Sequence, residues 1–117
     1  MKNLLLFAVP ATASLVACSS APSGPGVHAA APMIYVQSAR QPDDISACLQ
    51  EKVFSMHEAS AGSSTELSIG PRASRIDWLI TLTPSGDGSI VKVQHSADAS
   101  DDLPEPELRF DIARCTT

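Results

Sequence analysis

Apolar residues recur with two different periods between Met33 and Cys115. Met33-Ile34-Tyr35-Val36-Gln37 is a short run rich in β-branched and aromatic side chains and predicts a first strand. Arg40-Gln41-Pro42-Asp43-Asp44 then carries the marks of a helix start. Proline suits the first helical turn, and two aspartates complement the positive helix end. Ile45, Cys48, Leu49, Val53 and Met56 follow at helical spacing on one face. The pattern predicts a helix ending between Ala59 and Gly62, where Ser-Ala-Gly-Ser-Ser takes over. His57 falls near that end, where a protonated imidazole favours the negative helix terminus.

The period then changes to two. Leu67 and Ile69 share one face of a second strand over Thr65 to Ile69, which Gly70-Pro71 breaks. Ser74 to Thr83 alternates most clearly: Ile76, Trp78, Ile80 and Leu82 point one way, Arg75, Asp77, Leu79, Thr81 and Thr83 the other. Pro84-Ser85-Gly86-Asp87-Gly88 is a turn signal, and Ser89 to His95 reads as the return strand with Val91 and Val93 inward. The pair predicts an antiparallel hairpin with a loop of about five residues. The last segment, 107–115, fits two templates. Leu108, Phe110 and Ile112 alternate like a strand, while Leu108, Ile112 and Cys115 share a helical face. Pro104 to Glu107 before them and Arg114 near the end suit helix termini.

The first twenty residues have a different character. Lys2 supplies a minimal basic region, Leu4 to Val9 a short apolar core, and Ala11 to Ala17 a run rich in small residues. Pro10 interrupts the run, which falls short of the ~18 to 20 apolar residues of a bilayer span. The segment ends Leu15-Val16-Ala17-Cys18. This resembles the lipobox signal peptide of bacterial lipoproteins. The resemblance implies cleavage before Cys18, a diacylglycerol on its sulfur and further acylation (commonly palmitate) on its new amine. Ser19 in place of Asp implies the periplasmic face of the outer membrane. Two or more acyl chains hold a protein lastingly at a bilayer, at about 0.8 kcal/mol per buried CH2. The expected organisation is a cleaved signal over 1–17, a lipidated tether over 18–32 and one domain over 33–117. Pro22, Gly24, Pro25, Gly26 and Pro32 predict a flexible tether of roughly 20 Å root-mean-square span. His28 reads as a solvated linker residue.

Composition sharpens this picture. Loss of Lys2 with the signal leaves seven basic and thirteen acidic residues, a net charge of −6. That balance disfavours nucleic acid and anionic headgroups as partners. About a hundred residues suit a single core. In the oxidising compartment that the resemblance implies, Cys48 and Cys115 form an even pair in a small domain and are expected to be disulfide-linked. The alternative is a reactive or metal-binding thiol pair, but there is no Cys-x-x-Cys spacing and no His near either in sequence. The bridge bears on residues 107–115. A strand would place Cys115 on the face opposite Leu108, Phe110 and Ile112, whereas a helix keeps it with Leu108 and Ile112, so the helix is preferred. The fold class expected is α+β: a small, mostly antiparallel sheet with one or two helices packed on one face. Its order is β-α-β-β-β-α, or the same with a final strand, and Leu79 and Ile90 lie on the other face. The domain is similar to small proteobacterial lipoproteins that end in a lone Cys, a likeness that carries no activity with it.

Candidate chemistry is sparse. No Gly-x-Ser-x-Gly surrounds any serine, and Gly86-Asp87-Gly88-Ser89 lacks both the lysine of a phosphate loop and the spaced acids of an EF-hand. Asp98, Asp101, Asp102, Glu105 and Glu107, with His95 nearby, form an acidic run that reads first as a solvated loop and helix start and second as a weak divalent-cation site. Arg72, Arg75 and Arg109 are candidates to pair with Asp77 and Asp111. Trp78 reads as core. No catalytic set and no cofactor are implied. The expectation is a non-enzymatic, outer-membrane-anchored lipoprotein that binds an envelope protein or supports an envelope assembly. The alternative is a periplasmic module for a small ligand or divalent cation.

Overall fold

A computed structural model describes residues 26–72 and 74–117. The expected signal, Cys18 and the expected tether up to residue 25 lie outside the described residues. The elements in chain order are α1 (Gly26–Ala29), β1 (Pro32–Ser38), α2 (Pro42–Lys52), β2 (Met56–Ala61), β3 (Ser64–Ile69), β4 (Trp78–Ser85), β5 (Gly88–His95) and α3 (Glu105–Thr116). The strands form one antiparallel sheet in the order β1-β5-β4-β3-β2. The α+β class holds.

Alternation decides which face of the sheet is covered. Leu67 and Ile69 of β3, Trp78, Ile80 and Leu82 of β4, and Val91 and Val93 of β5 are all buried. Against them pack Ile45 and Leu49 of α2, Val53 just beyond it, and Leu108, Ile112 and Cys115 of α3. Residues 107–115 are therefore helix, with Leu108, Ile112 and Cys115 on its inner face. Pro42 in the first turn with Asp43 and Asp44 starts α2 as expected.

The two helices are joined through Cys48–Cys115, with Cα atoms 5.6 Å apart. Two polar contacts reinforce the junction. Arg40 Nη1 donates to the Cys115 carbonyl at 2.9 Å, and Ser38 Oγ donates to the Thr116 carbonyl at 2.6 Å. Both satisfy carbonyls that a helix C-terminus leaves free, and the guanidinium adds charge of the sign that this end attracts. Ser89 Oγ donates to the Arg40 carbonyl at 2.7 Å, fixing the loop that carries the guanidinium.

Several sequence expectations are corrected. The helix begun at Pro42 stops at Lys52, with Val53 already extended. Met56 to Ala61, including His57, form β2 instead, opposite Ile69 to Ser64 of β3. Pairing with β3 overrides a segment whose residues favour helix. The turn between them is Gly62-Ser63, with Gly62 at φ 63°. Positive φ at the first of two central residues is the hairpin geometry glycine makes possible. The turn after β4 is likewise two residues, Gly86-Asp87, rather than a five-residue loop, because strand pairing continues to Ser85 and Gly88. β4 begins at Trp78, not Ser74.

The stretch expected as tether also folds at its end. Gly26–Ala29 make one helical turn, and Pro32 already belongs to β1. Val27 is buried, and Gln94 Nε2 donates to the carbonyls of His28 and Ala30 at 3.0 and 2.8 Å. α1 packs on β4 and β5, and Leu79 and Gln94, paired across those strands on the face away from α2 and α3, are both buried. His28 lies 3.3 Å from Glu66.

A disulfide closing a span of 67 residues stabilises by roughly 4 kcal/mol in the chain-entropy model. That is a large share of the ~5 to 13 kcal/mol total of a domain this size. Cys48→Ala and Cys115→Ala are expected to lower the melting temperature by nearly equal amounts, with the double variant no lower than either single one. Thermal unfolding followed by circular dichroism checks this, and additive losses would mean that the two sulfurs act separately.

Candidate functional site

Among the described residues, a concavity lies where the helical layer ends. α2 stops at Lys52, and the Val53 N–H still reaches the Leu49 carbonyl at 2.9 Å. The chain then turns through Phe54 and Ser55, and Ser55 has φ 59°. A non-glycine residue in this left-handed region is uncommon and costs of order 1 kcal/mol or more. The Gly70 N–H donates to the Ser55 carbonyl at 3.4 Å, which ties this turn to the end of β3. Gly70 is itself constrained: a Cβ there would collide with the backbone carbonyl of Arg75.

The opposite wall comes from the loop between β5 and α3. Asp77 is 5% exposed. Its carboxylate accepts from the Ser100 N–H at 3.3 Å and the Ser100 hydroxyl at 2.7 Å. Its own backbone is also held: the N–H donates to Ile69 at 2.8 Å and the carbonyl accepts from Ser96 at 2.9 Å. Trp78 Nε1 donates to the Leu103 carbonyl at 3.2 Å. Adjacent residues at the entry to β4 thus hold the 96–103 loop at three points, Ser96, Ser100 and Leu103. Trp78 is core, as expected, and stacks on His95 with ring centroids 3.7 Å apart.

Between these walls is a cleft of about 290 Å³. Val53, Ile69, Pro71 and Leu103 give it apolar lining, and Lys52, Asp102 and Glu107 add charge of both signs. Phe54, also part of the lining, is 92% exposed. The ring therefore stands in water at the mouth while its neighbour Val53 is buried.

The structure does not gather the acidic run into a cation site. Among the described residues, no group of three or more His, Cys, Asp or Glu side chains could hold a metal ion. Asp102 and Glu107 reach the cleft, while the His95 ring lies on Trp78 with Nε2 buried and without a hydrogen-bond partner. The arginine pairings also differ from expectation. Asp77 is satisfied by Ser100, and Arg109 pairs with Glu105 one turn earlier at 2.8 Å. Arg114 lies over the exposed Phe110 ring, 5.4 Å from its centroid. Cys48 and Cys115 are consumed in the disulfide. Sequence reasoning passed over Phe54, Ser55 and Leu103. Phe54 breaks the apolar face of the preceding helix, and that was the available signal. No helix among the described residues is long and apolar enough to cross a membrane. Comparison with protein-family models, curated proteins and solved structures finds no match to the chain.

Asp77→Ala is expected to destabilise the fold by about 1 to 3 kcal/mol, because Ser100 loses a charged partner in a buried setting. Ser100→Ala added to it should cost little more. Urea unfolding of both single variants and the double variant measures the coupling, and simple additivity would mean the contact does not hold the loop.

Proposed function

We propose that this chain is a non-enzymatic, outer-membrane-anchored periplasmic lipoprotein whose domain binds a protein partner, or supports an envelope assembly, at the cleft beside Phe54. The lipobox residues Leu15 to Cys18 support the anchor. The observation that carries the binding site is Phe54, 92% exposed at the mouth of an apolar cleft on a left-handed turn. A phenyl ring left in water forgoes about 1.5 to 3 kcal/mol that burial would return. Binding energy at protein interfaces concentrates in such aromatic anchors beside pockets. Lys52, Asp102 and Glu107 offer the charged rim that such a contact uses for orientation.

A second reading takes the same cleft as a small-ligand site, favoured by its apolar lining and a volume near the ~300 Å³ lower end of such sites. The divalent-cation form of that reading loses its motivation, since the acidic side chains do not converge among the described residues.

Two experiments test the halves separately. Cys18→Ser is expected to abolish acylation and either release the protein from membranes or leave its signal uncleaved. Fractionation and intact mass report this, and an unchanged mass with unchanged membrane recovery would sink the anchor. For the cleft, a photo-crosslinking residue at position 54 should yield one discrete protein adduct in intact envelopes, while the same residue at Ser63 yields none. Phe54→Ala should weaken retention of that protein about tenfold, as hot-spot truncations do, and leave the melting temperature unchanged. Equal adduct patterns at the two positions would remove the site.

A further inference from the structure

The sheet has two edges, and they are built differently. β2 carries His57 and Glu58, and beyond Met56 its residues are exposed and the rest small. Charged side chains are one way in which proteins keep edge strands from pairing. β1, the other edge, has no charged residue over Pro32–Ser38, and its proline and register shift are confined to Pro32–Ile34, which leaves Ile34 to Ser38 as a regular edge. It also holds two of the four exposed large hydrophobic residues among those described, Tyr35 at 64% and Val36 at 37%. An uncharged, apolar edge is a template for another strand.

The sequence of β1 says which strand. About its centre at Tyr35, the flanking residues Ile34 and Val36 match in kind, both β-branched and apolar, and no mirror pair sets charge against charge. A two-fold axis through an antiparallel pair sets each position against its mirror position, which is the requirement of a self-complementary interface. We infer that β1 is a self-association edge, on which two copies of this chain pair their β1 strands antiparallel and join two five-stranded sheets into one.

The registers available are few. Ile34 and Val36 lie opposite Val93 and Val91 and so face the helical side, while Tyr35 lies opposite Lys92 and faces the other side. A one-residue slip would turn one copy's helices to the wrong face. With full overlap Tyr35 sits on the axis, and Ile34 of each copy faces Val36 of the other. A register shift between Pro32 and Ile34 leaves Ile34 to Ser38 as the regular part of the edge. Pairing that part alone puts Val36 on the axis and the two Tyr35 rings on the diagonal, still within reach of aromatic side chains. Both arrangements cover Val36, extend the core face and bring the two tyrosines together. The edge carries no charge of its own, so copies of a chain with net charge −5 meet there without local repulsion. This surface is distinct from the cleft, which borders β3 at the other side of the sheet.

The chain has a single tyrosine, which makes the test specific. Photo-oxidation of the purified full chain in detergent, with a ruthenium complex and persulfate, couples tyrosines only where two rings meet. The expected product is a covalent dimer with dityrosine fluorescence, absent in Tyr35→Phe. Val36→Lys should reduce its yield about tenfold, with Gln37→Lys as a second variant should the first lower the melting temperature, and Ser60→Lys on the β2 edge should leave it unchanged. Monomer alone, a dimer without dityrosine, or equal yields from Val36→Lys or Gln37→Lys and Ser60→Lys would each overturn the assignment.

Discussion

The closure of α3 onto α2 is the constraint on which the other features rest. The sheet presents Leu67, Trp78, Ile80, Leu82, Val91 and Val93 on one face, and α2 alone is too narrow to cover them. Both helices are short, eleven and twelve residues, and helices of that length are marginal without tertiary support. The Cys48–Cys115 bond keeps the two helices together, and Arg40 and Ser38 hold the carbonyls at the end of α3. By comparison, the exposed Arg109–Glu105 pair contributes only a few tenths of a kcal/mol. One covalent link with two directed contacts thus secures what the surface charges do not.

From this closure follows the position of the cleft. Pinning the C-terminal end of α3 leaves the loop from Ser96 to Leu103 to carry the chain from the end of β5 to the start of that helix. Asp77 and Trp78, neighbours at the start of β4, hold that loop through Ser100 and the Leu103 carbonyl. Opposite, α2 ends early and the chain turns at Ser55 to begin β2. The cleft is the gap between two helix ends that the core does not need to fill. Phe54 stands exposed at its mouth, where local burial is incomplete.

The parts of the fold legible beforehand are those where period and chemistry agree. Leu108, Ile112 and Cys115 at helical spacing, together with the need for Cys115 to meet Cys48, point to a helix over 107–115, and α3 is that helix. Trp78, Ile80 and Leu82 alternate and are buried. Met56 to Ala61 shows the limit: its helix-favouring residues extend the pattern of α2 past Lys52, yet the backbone groups of β3 take it as a strand. Gly62-Ser63 between two runs was the local hint of that hairpin. Of the cleft, only Asp102 and Glu107 were candidates from sequence, and they were grouped with acids that do not converge on them. Phe54, Ser55 and Leu103 become neighbours only through contacts distant in sequence.

Read by itself, the sequence determined the α+β class, the alternating core of β4 and β5, the helical face of α3 and the pairing of its two domain cysteines. Each of these depends on periodicity or on a scarce residue type, both of which are local properties of the chain. The tertiary structure alone decided where α2 stops, that β2 adds a fifth strand, that Val27, Leu79 and Gln94 are buried together with α1 against β4 and β5, and that the cleft opens beside Phe54. Those outcomes turn on which backbone groups and which faces find partners across the molecule. That competition is settled by strand pairing and burial between segments far apart in sequence, and no single window of residues contains it.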